Sequence, residues 1–228
     1  MTLALTPPAF SIALIARNEA PQLPRLVEGL KEFLARGGDL RLVDTGSEDG
    51  TARVARSLGF AVEEVSARFH RRLTADEAAA IEARFAVGDD GPLVSAGERI
   101  FDFGAAREHA SLQARRDWVL QLDASDEILA FDFDFLDEAV RRSGAAQIEY
   151  RQMYGPSSHH VARFYDRRLV EWRGRVHELP YRRPGAPPLP ALRCRDDQFL
   201  IRHHKVETKE RVYLSGLALD ALAFPENP

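Results

Sequence analysis

Three short apolar runs in this chain each end in a cluster of polar residues, and helical spacing resumes after each cluster. Ser11-Ile12-Ala13-Leu14-Ile15-Ala16 runs into Arg17-Asn18-Glu19. Leu40-Arg41-Leu42-Val43 runs into Asp44-Thr45-Gly46-Ser47, and Trp118-Val119-Leu120-Gln121-Leu122 into Asp123-Ala124-Ser125-Asp126-Glu127. Between the first two, Leu23, Leu26, Val27, Leu30, Phe33 and Leu34 fall on one helical stripe that Gly37-Gly38 stops. A second helix opens at Asp49-Gly50-Thr51 and closes at Gly59, and Ala61 to Val65 reads as a third strand. Short continuous apolar strands alternating with helices are the pattern of βαβ units around a mostly parallel sheet, an α/β fold.

Residues 67 to 101 break the rhythm and read as an insertion. Thr74-Ala75-Asp76-Glu77 is a capping-box pattern opening a helix over Ala78 to Phe85, and Gly88-Asp89-Asp90-Gly91-Pro92 is a loop. The segment is either decoration or a lid over the site. A helix from Gly104 to Ala114 follows, and Phe135, Leu136, Ala139 and Val140 mark another. After Gly144 the pattern turns β-like through Ile148-Glu149-Tyr150 and Val161 to Tyr165. His159-His160 is placed in a Gly-Pro-Ser-Ser loop, and Glu207 to Phe224 reads as helix. The expectation is one domain over residues 1–228 in two halves: a parallel half to about residue 130 and a mixed half from about 131.

Composition narrows the class. A hydrophobic share of 45% with 29% charged residues suits a globular chain with a sizeable core. The net charge of −4 offers no global basic field for nucleic acid. No apolar run approaches the ~18 residues of a membrane span. The N-terminus carries no signal-like core, which points to the cytoplasm and is compatible with a peripheral place at a membrane. Cys194 stands alone, so there is no disulfide framework and no thiolate metal cluster.

In open parallel sheets, ligands bind beyond the carboxyl ends of the strands. Asn18 or Ser47 alone could simply cap the next helix, but three polar strand ends along one edge define a site by position. The carboxylates of Asp123 to Glu127 would repel one another without a counter-charge. A divalent cation, Mn²⁺ or Mg²⁺, could bridge them to a diphosphate and stabilise its departure. His203-His204-Lys205 is a further polar cluster, from which His204 is taken as an extra metal ligand beside Asp123 and Asp126.

Five blocks in order give these features a family likeness. Ile15-Ala16-Arg17-Asn18-Glu19 and Val43-Asp44-Thr45-Gly46-Ser47-Glu48-Asp49-Gly50-Thr51 are followed by Asp102-Phe103-Gly104-Ala105-Ala106-Arg107. Asp117 to Ala124 comes next, then Arg163-Phe164-Tyr165 with Trp172-Arg173-Gly174-Arg175-Val176-His177-Glu178. Together they resemble glycosyltransferase family 2. The resemblance covers about residues 10 to 215 with the insertion as a gap, and it implies the GT-A type of Rossmann-like fold and inverting transfer from a nucleotide sugar, with UDP the expected nucleotide. It implies that Ala16, Arg17, Glu19 and Asp44 hold base and ribose. Arg107 would lie near the ribose or diphosphate, and Asp123 at the sugar and metal. One departure stands out: Ser125 occupies the place of the family's second motif aspartate, with Asp126 next to it.

Inverting transfer needs a base for the acceptor hydroxyl. Glu178 is the first candidate, with His177 to orient it or share its proton, and Asp126 is the second. The partners expected are a nucleotide-sugar donor and a saccharide, lipid, protein or modified nucleic-acid acceptor. Two other readings stay open: a catalytically silent nucleotide-sugar-binding domain, which Ser125 favours, and a nucleotidyltransferase, which the glycine-free first turn Ala16 to Pro21 disfavours.

Overall fold

The computed structural model describes residues 6–86, 91–176, 178–188, 190–204 and 213–224. His177, Lys205, the Gly88-Asp89-Asp90 part of the insertion loop and the first residues of the expected C-terminal helix lie outside them.

The first half is built as the apolar runs dictate. β1 (Phe10–Ala16) is almost wholly buried, and β2 (Asp39–Asp44) pairs with it in parallel register, Ile12 opposite Leu40 and Ala16 opposite Asp44. Between them the predicted single helix is two: α1 (Leu23–Glu28) and α2 (Lys31–Ala35). The break falls at Gly29-Leu30, where a Cβ on Gly29 would collide with the Ile128 side chain. The helix therefore turns where it meets the sheet. α3 (Thr51–Ser57) leads to β3 (Ala61–Glu64), parallel to β2.

The insertion folds into β4 (His70–Arg72), α4 (Ala75–Phe85) and β5 (Arg99–Phe101), with β4 and β5 antiparallel. The capping box forms as the sequence implies. Glu77 N–H donates to Thr74 Oγ1 at 3.2 Å, and Thr74 N–H donates to Glu77 Oε2 at 3.0 Å. Arg71 adds a bidentate pair to the same carboxylate, at 2.7 and 2.8 Å.

α5 (Phe103–Leu112) returns the chain to β6 (Trp118–Asp123), parallel to the other side of β1. β7 (Asp126–Phe131) follows after two residues, where sequence reading placed only a polar strand end. α6 (Phe133–Arg142) precedes the hairpin of β8 (Gln147–Tyr154) and β9 (Ser157–Asp166). His159-His160 thus lies in a strand, not in a loop. The turn closes at Tyr154↔Ser157, and Arg151 and Gln152 pair with His160 and His159. β10 (Val170–Arg173) and β11 (Leu179–Arg182) form a small ribbon. β12 (Ala191–Arg193) and β13 (Phe199–His203) join the main sheet, and α7 (Leu214–Ala223) ends the described chain.

The main sheet runs β3-β2-β1-β6-β9-β8-β13-β7, with β12 on β8. Its first four strands are parallel. β9 is antiparallel to both neighbours, and β13 is parallel to β8 and antiparallel to β7. One core lies under α1, α2 and α6, and contains Phe10, Phe33, Leu120 and Phe199. A second lies under α5, and contains Ala106, Ala110, Tyr165 and Trp172. A third joins the insertion to α7 through Leu73, Ile81, Ile100 and Leu219. Cys194 is buried and its thiol is pushed up to about 12 by that burial, an inert side chain. Among the described residues no helix is long and apolar enough to cross a membrane.

Candidate active site

The carboxyl ends of β1 and β2 are laced together by side chains. Asn18, the non-glycine residue with a left-handed backbone (φ 55°), donates its N–H to Ser47 Oγ at 2.9 Å. It accepts Glu48 N–H on its own Oδ1 at 2.8 Å. Glu19 N–H donates to Thr51 Oγ1 at 2.8 Å. Asn18 and Ser47 therefore cap neither helix: they join two loops into one rim. Asp44 is 2% exposed, and its Oδ1 accepts Gly46 and Ser47 N–H at 3.0 and 2.7 Å. Its Oδ2 is buried without a hydrogen bond among the described residues. Such an oxygen is costly to bury unless something meets it, and the rim of a ligand site is where that partner can come from. Ala16 O is spent on Thr45, whose N–H donates at 2.9 Å.

The second cluster centres on Asp123. Arg107, buried on the inward face of α5, donates from Nη2 to Asp123 Oδ1 at 2.6 Å and from Nε to Glu178 Oε1 at 3.0 Å. Arg163 of β9 takes the other Asp123 oxygen, Nη1 to Oδ2 at 2.8 Å. Both guanidiniums stand over Trp172, 5.3 and 5.9 Å from the ring centre. Burial would push the Asp123 carboxyl up, but the charges of Arg107, Arg163 and His203 override it and hold the group far below the usual carboxylate range.

Asp126, 1% exposed in its side chain, accepts Asp123 N–H on Oδ2 at 2.8 Å. Its Oδ1 meets His203 Nδ1 at 2.8 Å and Gln152 Nε2 at 3.3 Å. Burial raises the Asp126 carboxyl, reinforced by Asp123 and opposed by His203. Burial alone would lower His203, but its bond to Asp126 and the charge of Asp123 raise it. Tyr154 stacks on His203, centroids 5.3 Å apart at 14°.

Asp123, Asp126 and His203 each offer a ligand atom, all within 4.8 Å of one another. Two carboxylates and an imidazole suit Mn²⁺ or a related divalent ion, so the residues fit a metal. His203 takes the place expected for His204. Adjacent residues at a strand end face opposite ways, and His204 turns to Glu127 Oε2, 2.8 Å away. Ser125 is buried, and its carbonyl accepts His204 N–H at 3.1 Å.

Of the residues singled out in the sequence, Arg107, Asp123, Asp126 and Glu178 converge, while Ala16, Arg17, Glu19 and Asp44 line the neighbouring strand ends. Arg163, His203 and Gln152 were missed as site residues. Arg163 and Gln152 carried no local signal, because β8 and β9 hold several other polar residues, among them Glu149, Arg151, His159 and His160. A groove of about 600 Å³ opens beside this cluster, lined by Ala105, Glu108, His109 and Leu112 of α5 and by Trp172 and Arg175.

The chain matches no protein-family model and no curated protein. Its shape does have solved counterparts. It is similar to S. aureus TarS 1-349 in complex with UDP-GlcNAc, at 14% identity over 90% of this chain and 60% of that one, TM-score 0.54. It is also similar to the mannosyltransferase PcManGT from Pyrobaculum calidifontis in complex with GDP-Man and Mn²⁺, at 15% identity over 87% and 59% of the two chains, TM-score 0.48. Mannosyl-3-phosphoglycerate synthase from Rubrobacter xylanophilus is similar at 23% identity over 64% and 40%, TM-score 0.39. This chain thus spans less than two thirds of the length of each. The fold is the GT-A type, a Rossmann-like sheet with a mixed second half, as the TarS likeness shows.

Proposed function

We propose that the chain is an inverting glycosyltransferase that moves a sugar from a nucleoside-diphosphate sugar, with UDP the favoured nucleotide, to an acceptor hydroxyl. The observation that carries this reading is Arg107, which holds Asp123 of the first half and Glu178 of the second on one guanidinium at the carboxyl edge of the sheet. The GT-A fold and the UDP-GlcNAc complex of the TarS counterpart support it. The chain then acts as one domain: residues to about 130 hold the donor and the rest present the acceptor.

Asp44, Arg17 and Glu19 receive base and ribose beyond the strand end that Ala16 closes. Arg163 and Arg107 put positive charge where the diphosphate departs. A divalent cation held by Asp123, Asp126 and His203 would supply Lewis-acid neutralisation of that leaving group. Glu178 takes the proton of the acceptor hydroxyl as its oxygen bonds to the anomeric carbon. The bond from that carbon to the diphosphate oxygen breaks, and its electron pair leaves on the nucleoside diphosphate. Attack from the face opposite the leaving group inverts the centre.

The test is Glu178→Gln, which keeps shape and hydrogen bonding but removes basicity. Turnover of UDP- or GDP-sugars should fall by about 10²-fold or more while nucleotide affinity persists. Near-normal turnover would move the role to Asp126. A product that retains the donor's anomeric configuration, read by NMR, would overturn direct displacement. The reading of a silent nucleotide-sugar-binding module is favoured by Ser125 and by the two arginines already on Asp123. Nucleotide binding without transfer or hydrolysis of any donor would select it.

A further inference from the structure

The loop that carries Glu178 is gripped from two sides. From α7, Asp220 reaches back across the fold, only 6% exposed. Its Oδ1 accepts Arg175 N–H at 2.8 Å, and its Oδ2 accepts Arg175 N–H at 2.7 Å and Val176 N–H at 2.8 Å. Arg175 Nη1 adds an ion pair at 3.3 Å. From α5, Phe103 N–H donates to the Arg175 carbonyl at 2.8 Å. Contact is close on both sides: a Cβ on Gly104 would fall onto the Gly174 carbonyl oxygen, and one on Gly216 onto the Val176 side chain. Residues 174–176 are therefore fixed by charge-assisted hydrogen bonds and by glycine-permitted contact, immediately before the segment that delivers Glu178 to Arg107.

A helix cap or a turn needs no buried carboxylate from 44 positions along the chain. The same helix face packs Leu219 into the insertion, and Ser215 bonds Glu98 beside β5. The insertion, α7 and the 174–176 loop are thus one mechanical unit.

We infer that Asp220 is a positioning residue for Glu178: by holding the Arg175 and Val176 amides it sets where the Glu178 carboxylate stands relative to the acceptor. This rests on the reading of Glu178 as the base. Loss of Asp220 should lower turnover and leave donor recognition alone, because the donor is held at the other strand ends.

The experiment compares Asp220→Ala, Asp220→Asn and Gly216→Ala, each alone and with Glu178→Gln, for nucleotide release from UDP- and GDP-sugars. Asp220→Ala should lower kcat by about 10-fold with donor KM within about twofold, and add nothing on top of Glu178→Gln. Asp220→Asn, which keeps one acceptor oxygen, should recover part of the loss. Unchanged kcat, or a loss that multiplies that of Glu178→Gln, would overturn the inference.

A second readout needs no activity. With glutamate labelled at ¹³Cδ, the Glu178 resonance, assigned by its absence in Glu178→Gln, should move in Asp220→Asn and in Gly216→Ala. A Glu178 resonance unmoved in both folded variants overturns the inference. A wild-type protein that turns over no donor overturns the transferase reading instead, and the resonance still decides for or against Asp220.

Discussion

Asp44 and Asp123 are neighbours at one sheet edge with opposite provisions. Both oxygens of Asp123 are met by arginines, whereas Asp44 leaves Oδ2 buried and unmet among the described residues. Under the proposed function, that oxygen accepts a hydrogen bond from the nucleotide. Asp44→Asn keeps an oxygen for Gly46 and Ser47 and replaces the other by a donor. UDP affinity, measured by calorimetry, should fall by about 10-fold, a loss of one charge-assisted bond, with the melting temperature little changed. Equal affinity would remove Asp44 from the nucleotide site. The cation is tested the same way: UDP should bind tighter with Mn²⁺ than with EDTA, and Asp126→Asn should abolish the difference while His204→Ala preserves it. Sequence chose the wrong histidine because side-by-side residues offer no clue to which one the strand turns inward. Only the pairing of β13 with β7, which puts His203 opposite Asp126, decides it.

At the scale of elements, the insertion is a small folded unit whose helix depends on one carboxylate. The bidentate bond from Arg71 foremost, then the amide and hydroxyl of Thr74, lower Glu77 to about 2 from its ordinary 4.5. A lowered acid stabilises above its unfolded value and stops doing so as pH falls through the folded one. Glu77→Gln should therefore destabilise α4 at pH 7 by about 1 kcal/mol, on the scale of a lost cap. The difference from wild type should shrink between pH 4.5 and about 2. Equal stability at pH 7 would show the cap to be idle. If the insertion also closes over the donor, amide exchange over residues 91–101 should slow when UDP is added; identical rates would leave it as a brace for α7. The capping box, the parallel strands and the site edge were all legible because each is written in neighbouring residues. β7 was not, for its first two residues, Asp126 and Glu127, belong to the acidic cluster, and the segment acquires a strand's identity only by pairing with the distant β13. The split of α1 from α2 was hidden likewise, since it lies in the non-helical backbone of Leu30 (φ −108°, ψ 11°), a residue that fits the apolar stripe.

Across the whole molecule, one sheet takes strands from both ends of the chain, and α5 packs against the loop that follows β10. Gly104 at the start of α5 lies against Gly174 beyond β10, and a methyl group there would strike backbone, which cannot rotate away. Gly104→Ala should cost about 1–3 kcal/mol by overpacking. That corresponds to a fall of roughly 2–4 °C in melting temperature per kcal/mol for a chain of this size. An unchanged melting temperature would mean that α5 and the Gly174 loop can part at this seam.

The strand order also carries a schedule. Among the described strands β7 bonds to β13 alone, and β13 must thread between it and β8. During synthesis the four parallel strands can pair as soon as β6 has left the ribosome, but Asp126 waits beside an open edge until residues 199–203 emerge. A nascent chain stopped anywhere in that interval carries Asp123 and Asp126 without His203 and an unpaired strand, the state most exposed to association with another copy of itself.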